Sequence, residues 1–140
     1  MMFLRVLMLL VICTATFSLS SCGETSYDYG FKISCEKFEE NSSYSSELEL
    51  EVGDKIKLEL CSNQTTGFNW DYEFTAENIV KEVSHDYEEP GESVVGAPGV
   101  ELWTFEAIEK GTTEIKMEYS QPWEGGTKTE WTYTVKVTVE

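Results

Sequence analysis

The sequence has little positive charge and few of the residues that carry metal or catalytic chemistry. Its 140 residues include one arginine, Arg5, and one histidine, His85, and Lys and Arg together number 10 against 26 Asp and Glu. Binding of nucleic acid requires clustered Lys or Arg, so a nucleic-acid partner is excluded. A zinc site needs several His or Cys ligands at suitable spacing, and a calcium loop needs a DxDxDG-like motif. Neither pattern occurs, and we expect no metal and no cofactor.

The same composition gives little support for a catalytic function. His85 lies between Ser84 and Asp86 on a polar stretch, where a histidine is usually solvated or hydrogen-bonded rather than catalytic. No glycine-rich motif that would cradle a phosphate occurs. Carboxylate pairs cannot be singled out, because glutamate is abundant throughout. The sequence therefore predicts a protein that is not an enzyme.

Long apolar runs are also absent, except at the N-terminus. Residues 1–21 carry Arg5, then an apolar stretch of about a dozen residues from Val6 to Phe17, then small residues. This layout is typical of a secretory signal peptide, and the stretch is too short for a permanent membrane span. Without Arg5, nine lysines against 26 acidic residues leave a formal charge of −17. That surface favours a basic partner, or serves solubility alone.

The end of this segment resembles a bacterial lipobox. It reads Leu19-Ser20-Ser21-Cys22, in which the cysteine would be lipidated and become the first mature residue. The alternative is an ordinary signal peptide with a chance cysteine nearby. We predict a signal peptide at 1–21, a lipidated cysteine and tether at 22–35, and one domain at 36–140. The expected location is an exported lipoprotein anchored to a membrane, in the periplasm or at the cell surface.

Two further cysteines, Cys35 and Cys61, form an even pair in an exported and oxidising setting. A disulfide between them would close a loop of about 27 residues and contribute roughly 3 to 4 kcal/mol in the chain-entropy model. The sequence does not show whether the two Cα atoms lie within bridging distance. Two free thiols are the alternative.

From Glu47 onward, apolar and polar residues alternate with a period of two. Half-buried antiparallel strands have this pattern. It predicts six or seven strands and no helix, with Ile79–Tyr87 as the strand of least regular pattern. Hydrophobic residues at 41% and aromatic residues at 13% exclude a disordered chain. We expect an all-β, immunoglobulin-like β-sandwich of about seven strands.

Three of the connections between these strands differ from ordinary surface loops. The first carries two β-branched threonines and a glycine, the second is small and turn-prone, and the third presents a tryptophan after a proline. They comprise Asn63, Gln64, Thr65, Thr66, Gly67 and Phe68; Val95, Gly96, Ala97, Pro98 and Gly99; and Gln121, Pro122 and Trp123. Aromatic residues on loops held by a rigid sandwich are a common binding design. The alternatives are a plain turn for the first loop and a core position for Trp123.

Taken in order, the three loops resemble the signature of the chagasin-type cysteine peptidase inhibitors. That family typically has "NPTTGF.W", then "VGxGG...W.F.A", then "RPW". This chain has "NQTTGFNW" from Asn63 to Trp70, "VGAPG" from Val95 followed by Trp103, Phe105 and Ala107, and "QPW" from Gln121. The resemblance covers about residues 45–140.

The resemblance implies a function as well as a fold. Members fill the active-site cleft of papain-like cysteine peptidases with three loops at one end of an immunoglobulin-like sandwich. The Thr-Thr-Gly loop lies over the catalytic cysteine, and the other two loops flank it. We therefore expect a reversible, tight-binding and monomeric inhibitor. The alternative is a non-inhibitory cell-surface module that binds a protein or glycan, for which the three loops need not converge.

Three positions depart from the family pattern. Gln64 stands where the family usually has proline, so the φ angle at the tip is less restricted. Gln121 replaces the usual arginine and removes a charge that would pair with an enzyme carboxylate. Pro98 replaces the first glycine of a Gly-Gly pair, which predicts a different shape for the second loop.

Overall fold

The computed structural model describes residues 26–91 and 94–140. The predicted signal peptide and Cys22 lie outside the described residues. Within these two ranges, the secondary structure consists of eight strands, one short α-helix and one turn of 3₁₀-helix at Gln64–Thr66. In chain order the elements are β1 (Tyr29–Ile33), α1 (Cys35–Glu40), β2 (Ser43–Leu50), β3 (Lys55–Ser62), β4 (Asn69–Phe74), β5 (Val80–Glu88), β6 (Gly99–Ala107), β7 (Gly111–Ser120) and β8 (Trp131–Val139).

The strands form two four-stranded sheets that pack face to face. The strand order is β1-β3-β6-β5 in one sheet and β2-β8-β7-β4 in the other. Neighbours pair antiparallel, except β1 with β3 and β2 with β8, which are parallel. The predicted all-β, immunoglobulin-like sandwich is confirmed, with eight strands where the sequence pattern indicated about seven. The irregular segment predicted as a strand at Ile79–Tyr87 forms β5.

The core lies between the sheets and follows the alternation in the sequence. On β3, the apolar side chains of Ile56, Leu58 and Leu60 are fully buried. On β8, the side chains of Val135 and Val137 are equally buried from the facing sheet. Each such side chain contributes about 1.5 to 3 kcal/mol when removed from water, so the alternation fixes which face of each strand points inward.

The sandwich begins earlier in the chain than predicted. Strand β1 pairs with β3 from Tyr29 opposite Ile56 to Ile33 opposite Leu60. Ahead of it, the Asp28 carboxylate accepts a hydrogen bond of 2.9 Å from the Lys55 backbone N–H. Residues 29–35, which we assigned to the tether, therefore belong to the folded domain. The sequence did not reveal this because β1 is short and its parallel partner is distant along the chain.

Helix α1 was not predicted, because six residues are too few for a helical pattern to be recognised. The Ser34 side chain caps its N-terminus by accepting from the Lys37 N–H, and Phe38 is its one buried residue. Phe38 stacks on Trp131 with ring centroids 4.9 Å apart. Aromatic packing therefore fixes this short helix to the sandwich.

A disulfide joins Cys35 of α1 to Cys61 near the end of β3, with Cα atoms 5.1 Å apart. This distance lies within the range that disulfides require. The bond fastens the helix to the strand that leads directly into the first of the three unusual loops.

The strand register defines two ends of the sandwich. Ser62 pairs with Gly99, and Asn69 pairs with Ser120, so the connections β3–β4, β5–β6 and β7–β8 all leave the sheets at the same end. We call this the loop end. The chain enters at the opposite end, where Tyr29 lies beside Ile56 and Gly111 beside Val139. Within the described ranges, no helix has the length and apolar character needed to cross a membrane.

Candidate functional site

The three unusual loops lie together at the loop end and are hydrogen-bonded to one another. We call Asn63–Phe68 loop 1, Val95–Gly99 loop 2 and Gln121–Trp123 loop 3. The Asn63 Nδ2 donates to the Gly96 carbonyl of loop 2 at 3.0 Å. The Gln121 Nε2 of loop 3 donates to the Thr66 carbonyl of loop 1 at 3.2 Å. Loop 1 is thus the centre of a single surface, with a bond to each neighbour.

Loop 1 is shaped by its own side chains. The Asn63 Oδ1 accepts from the Thr65 N–H at 3.2 Å and from the Thr65 hydroxyl at 2.6 Å. The Thr66 hydroxyl donates to the Asn63 carbonyl at 2.6 Å. These bonds close the 3₁₀ turn over Gln64–Thr66, which ends at Gly67 with φ +78°. The stiffness expected from the β-branched threonines therefore comes mainly from side-chain hydrogen bonds within the turn.

Gly67 is also the contact point between loops 1 and 3. The indole ring of Trp123 lies directly against it, and a Cβ atom at this position would overlap the ring. Only glycine both adopts the left-handed backbone conformation without strain and leaves room for the indole ring. Trp123 is 49% exposed, so it lies on the surface rather than in the core, the alternative left open by the sequence.

Loop 2 is exposed at its tip and buried at its end, Gly99. It follows Val94, whose carbonyl accepts from the Ala97 N–H at 3.1 Å and closes a turn. Gly96 within this turn has φ +82°. The side chain of Val95 is fully exposed and projects from the tip. Loop 2 therefore presents an apolar side chain next to Gly96, the residue whose carbonyl accepts from Asn63 of loop 1.

Loop 3 is braced by two side chains whose role the sequence did not reveal. The Gln121 Oε1 accepts from the Thr127 N–H at 2.9 Å, while its Nε2 reaches loop 1. The Lys128 ammonium donates to the carbonyls of Gln121 and Trp123. We predicted Gln121 as a residue of the third loop that lacks the charge of arginine, and in the structure its amide also joins two loops. An amide can donate and accept at once, which the guanidinium of arginine cannot do.

Beneath loop 1, aromatic side chains form a rigid base. The Tyr119 hydroxyl accepts from the Asn63 N–H at 2.7 Å, and its ring stacks on Phe68 at 5.1 Å between centroids. The Trp70 indole N–H donates to the Cys61 carbonyl at 2.9 Å. Both ends of the loop are therefore anchored to the core. In the sequence, Tyr119 showed only the alternation of a strand residue.

The three loops contain no ionisable side chain, although the chain as a whole is strongly acidic. The nearby Lys128 is occupied by loop carbonyls. Val95 and Trp123 add exposed apolar surface on either side of loop 1. A neutral, partly apolar and preformed surface is suited to entering a groove in another molecule.

Among the described residues, Ser62 and His85 are not arranged as a hydrolytic pair. Ser62 and His85 both contact Glu101, at 2.7 and 2.9 Å, rather than each other. A serine nucleophile needs the histidine as its direct partner, and Ser62 is fully buried. Across residues 26–91 and 94–140, no group of His, Cys, Asp or Glu side chains is placed to hold a metal ion.

Comparison with known proteins finds the same family that the loops indicate. The profile of the chagasin family peptidase inhibitor I42 matches residues 49–137, which is more than half of the chain. Amoebiasin-2 from Entamoeba histolytica is 34% identical over 80 residues, which cover 56% of this chain and 65% of that protein, just under two thirds of its length. Chagasin from Trypanosoma cruzi is 30% identical over 92 residues, which cover 63% of this chain and 84% of that protein.

A solved structure has a similar fold. The crystal structure of the cysteine protease inhibitor EhICP2 from Entamoeba histolytica superposes with a TM-score of 0.59 at 24% sequence identity. The match covers 80% of this chain and 96% of that one. At this identity the similarity supports the fold.

Proposed function

The chain belongs to the chagasin family of peptidase inhibitors, and we infer that it is a reversible, tight-binding protein inhibitor of papain-like cysteine peptidases. The observation that supports this most directly is the convergence of loops 1, 2 and 3 into one hydrogen-bonded surface. A general binding module would not require these three loops to meet. Their convergence favours an inhibitor over a non-inhibitory module for a protein or glycan.

In the proposed complex, loop 1 lies over the catalytic cysteine of the peptidase, and loops 2 and 3 contact the walls of the cleft. Loop 1 resists cleavage because the carbonyl groups of Asn63, Gln64 and Thr66 already accept internal hydrogen bonds. The Asn63 carbonyl accepts from the Thr66 N–H and hydroxyl, and the Gln64 carbonyl from the Gly67 N–H. The Thr66 carbonyl accepts from Gln121. Carbonyls held in this way do not turn into an oxyanion hole, which peptide hydrolysis requires.

Affinity in this proposal comes from two apolar anchors on a preformed surface. Trp123 rests on Gly67 and Val95 projects from loop 2, so both are presented before binding. Preorganised side chains lose little conformational entropy when they dock. An interface of about 1,600 Å² with such anchors is compatible with nanomolar affinity, about −12 kcal/mol.

We also propose that the protein is a lipoprotein anchored through Cys22, and that it acts as a monomer. The position of β1 supports an orientation in which loops 1, 2 and 3 point away from the membrane. Tyr29 enters the sandwich beside Ile56, at the end opposite the loops. The eight residues of β3 extend about 23 Å from that end to loop 1, at roughly 3.3 Å per residue. An anchor on the N-terminal side would therefore leave loops 1, 2 and 3 directed away from the membrane. Cys22→Ser should release the protein from membrane fractions, whereas unchanged fractionation would contradict the anchor.

The inhibitory function is tested by titrating residues 23–140 against papain and a cathepsin-like enzyme, with a serine peptidase as control. We expect stoichiometric and reversible inhibition of the cysteine peptidases and none of the serine peptidase. The inhibitor should be recovered uncut after prolonged incubation. No inhibition of any papain-like enzyme at micromolar concentration would overturn the proposal.

A further inference from the structure

A carboxylate is buried directly beneath loop 1. Glu101 on β6, two residues after loop 2, is only 2% exposed, and among the described residues it is the one charged side chain that is buried. Burial of a carboxylate is costly unless hydrogen bonds compensate for the lost water. An apolar residue would fill this position at lower cost, so the contacts of Glu101 indicate what the charge accomplishes.

The contacts of Glu101 reach both ends of loop 1. Its Oε1 accepts from the Ser62 hydroxyl at 2.7 Å and lies 3.4 Å from the Trp70 backbone N–H. Ser62 immediately precedes the loop, and Trp70 is the second residue after it. A single carboxylate oxygen thus links the strand that enters loop 1 to the strand that leaves it. These strands, β3 and β4, belong to different sheets, so no backbone ladder holds them together there.

The other oxygen of Glu101 is held from the side. The Nε2 of His85 on β5 lies 2.9 Å from Oε2. The imidazole ring in turn stacks on Trp103 with centroids 3.5 Å apart and planes within 10°. Glu101 is therefore fixed in orientation by a second residue that is itself locked by packing. Such support is what holds a binding loop in one geometry.

We propose that Glu101 is a positioning residue for inhibition, which sets the separation of the two ends of loop 1 and thereby the placement of the Thr-Thr-Gly tip. The effect of Glu101 on inhibition rests on the proposed inhibitory function. Its effect on the position of loop 1 concerns the free protein and is measurable without a peptidase. Hydrogen bonds to charged groups are stronger than those between neutral groups, so their loss is large enough to be detected.

The experiment compares Glu101→Leu, Glu101→Gln and a control at the opposite end. Thr113→Val is the control, because Thr113 is buried and its hydroxyl bonds to the backbone of Ala76. The glutamine variant keeps an oxygen that accepts from Ser62 and Trp70, whereas leucine does not. The measurements are the inhibition constant against papain, the thermal midpoint, and amide hydrogen exchange of Thr65, Thr66 and Gly67.

We expect Glu101→Leu to weaken inhibition by about tenfold or more and to accelerate exchange in loop 1. Glu101→Gln should inhibit within about threefold of the original protein. Thr113→Val should lower the thermal midpoint and leave both inhibition and loop 1 exchange unchanged. A folded Glu101→Leu variant with unaltered inhibition and exchange would overturn the inference. So would a Thr113→Val variant whose inhibition weakens in proportion to its loss of stability.

Two outcomes separate this inference from the proposed function. If the unmodified protein does not inhibit papain-like enzymes, the function is wrong, and the exchange of loop 1 still decides the role of Glu101. If Glu101→Leu does not fold, Ser62→Ala removes one of the two links while the carboxylate stays in place. Faster exchange at Thr65 and Thr66 in Ser62→Ala supports the inference, and unchanged exchange contradicts it.

Discussion

The two ends of the sandwich are held together in different ways. At the opposite end, bonds between one connection and another come from backbone groups, such as Gly53 N–H to Ala107 and Ile108 N–H to Ile79, at 2.8 and 2.9 Å. Side chains there, such as those of Asp28 and Thr113, bond the connections to the strands. At the loop end, the bonds between loops come from side chains, those of Asn63 and Gln121. Backbone bonds form with almost any residue, whereas side-chain bonds require particular ones. The bonds that join one connection to another therefore depend more on residue identity at the loop end than at the opposite end.

Loops 1, 2 and 3 also differ in charge from the turns of the opposite end. The turns of the opposite end carry Glu51, Asp54, Glu77, Glu109 and Lys110, while loops 1, 2 and 3 have no ionisable residue. Charged turns are well solvated and discourage association. The connections around loops 1, 2 and 3 do carry charge, at Glu89, Glu124 and Glu130, so the neutral surface is a patch within the loop end. A neutral patch on an acidic molecule loses little hydration when it enters a cleft. The contrast indicates that the patch is suited to contact and the turns of the opposite end to solvent.

Removal of the disulfide tests how far the loop end depends on covalent support. The Cys35–Cys61 bond lies near the loop end, and replacing both cysteines with serine should lower the free energy of unfolding by about 3 kcal/mol. The measurement is denaturant unfolding of the variant and of the original protein, each with and without reductant. Reductant should affect only the original protein. A loss below about 1 kcal/mol would show that the fold does not rely on this bond.

Gly67→Ala compares the two ends at equivalent backbone conformations. Gly67 and Gly53 both have positive φ, at +78° and +100°, but only Gly67 has a side chain against it. Gly67→Ala should displace Trp123 and weaken inhibition about 100-fold, or roughly 2.7 kcal/mol. Gly53→Ala should cost about 1 kcal/mol of stability with unchanged inhibition. Equal inhibition by the two variants would show that the Gly67–Trp123 contact is not part of the binding surface.

Trp123→Ala tests the apolar anchor itself. Trp123 is 49% exposed at the loop end, and Val52 is 52% exposed at the opposite end. Loss of the tryptophan should weaken inhibition by at least about 2 kcal/mol, which is roughly 30-fold, because exposed loop aromatics dominate such interfaces. Val52→Ala should have no effect on inhibition. A Trp123→Ala protein without a cooperative folding transition would instead place this residue in the structural core.

Gln64→Pro should have the smallest effect and in the opposite direction. Gln64 is the first residue of the 3₁₀ turn, a position where proline is favoured, and the chagasin-type pattern has proline there. Proline restricts the unfolded chain, so we expect a gain of about 0.4 to 1 kcal/mol in stability. Inhibition should improve by a few-fold at most, through slower dissociation. A loss of stability would show that loop 1 requires a φ angle that proline does not adopt.

Much of this protein was predictable from local patterns. The alternation of apolar and polar residues identified the strands from β2 to β8, because a strand with one buried face must repeat with a period of two. The three loops were identified from their turn chemistry and their order. The pattern did not reveal β1 or α1, since five or six residues are too few to show a periodic pattern. The stability of both elements comes from partners that are distant along the chain. Trp131 and Leu60 are such partners.

The sequence by itself determined the sandwich, the family and the residues that form loops 1, 2 and 3. The tertiary structure decided how those loops are joined: Gln121 to Thr66, Trp123 to Gly67, and Glu101 beneath both ends of loop 1. The physical reason is the range of each interaction. Periodicity and turn preference act between neighbours in the chain, whereas these contacts join residues 31 to 56 positions apart. Only the packing of two sheets brings such residues within hydrogen-bonding distance.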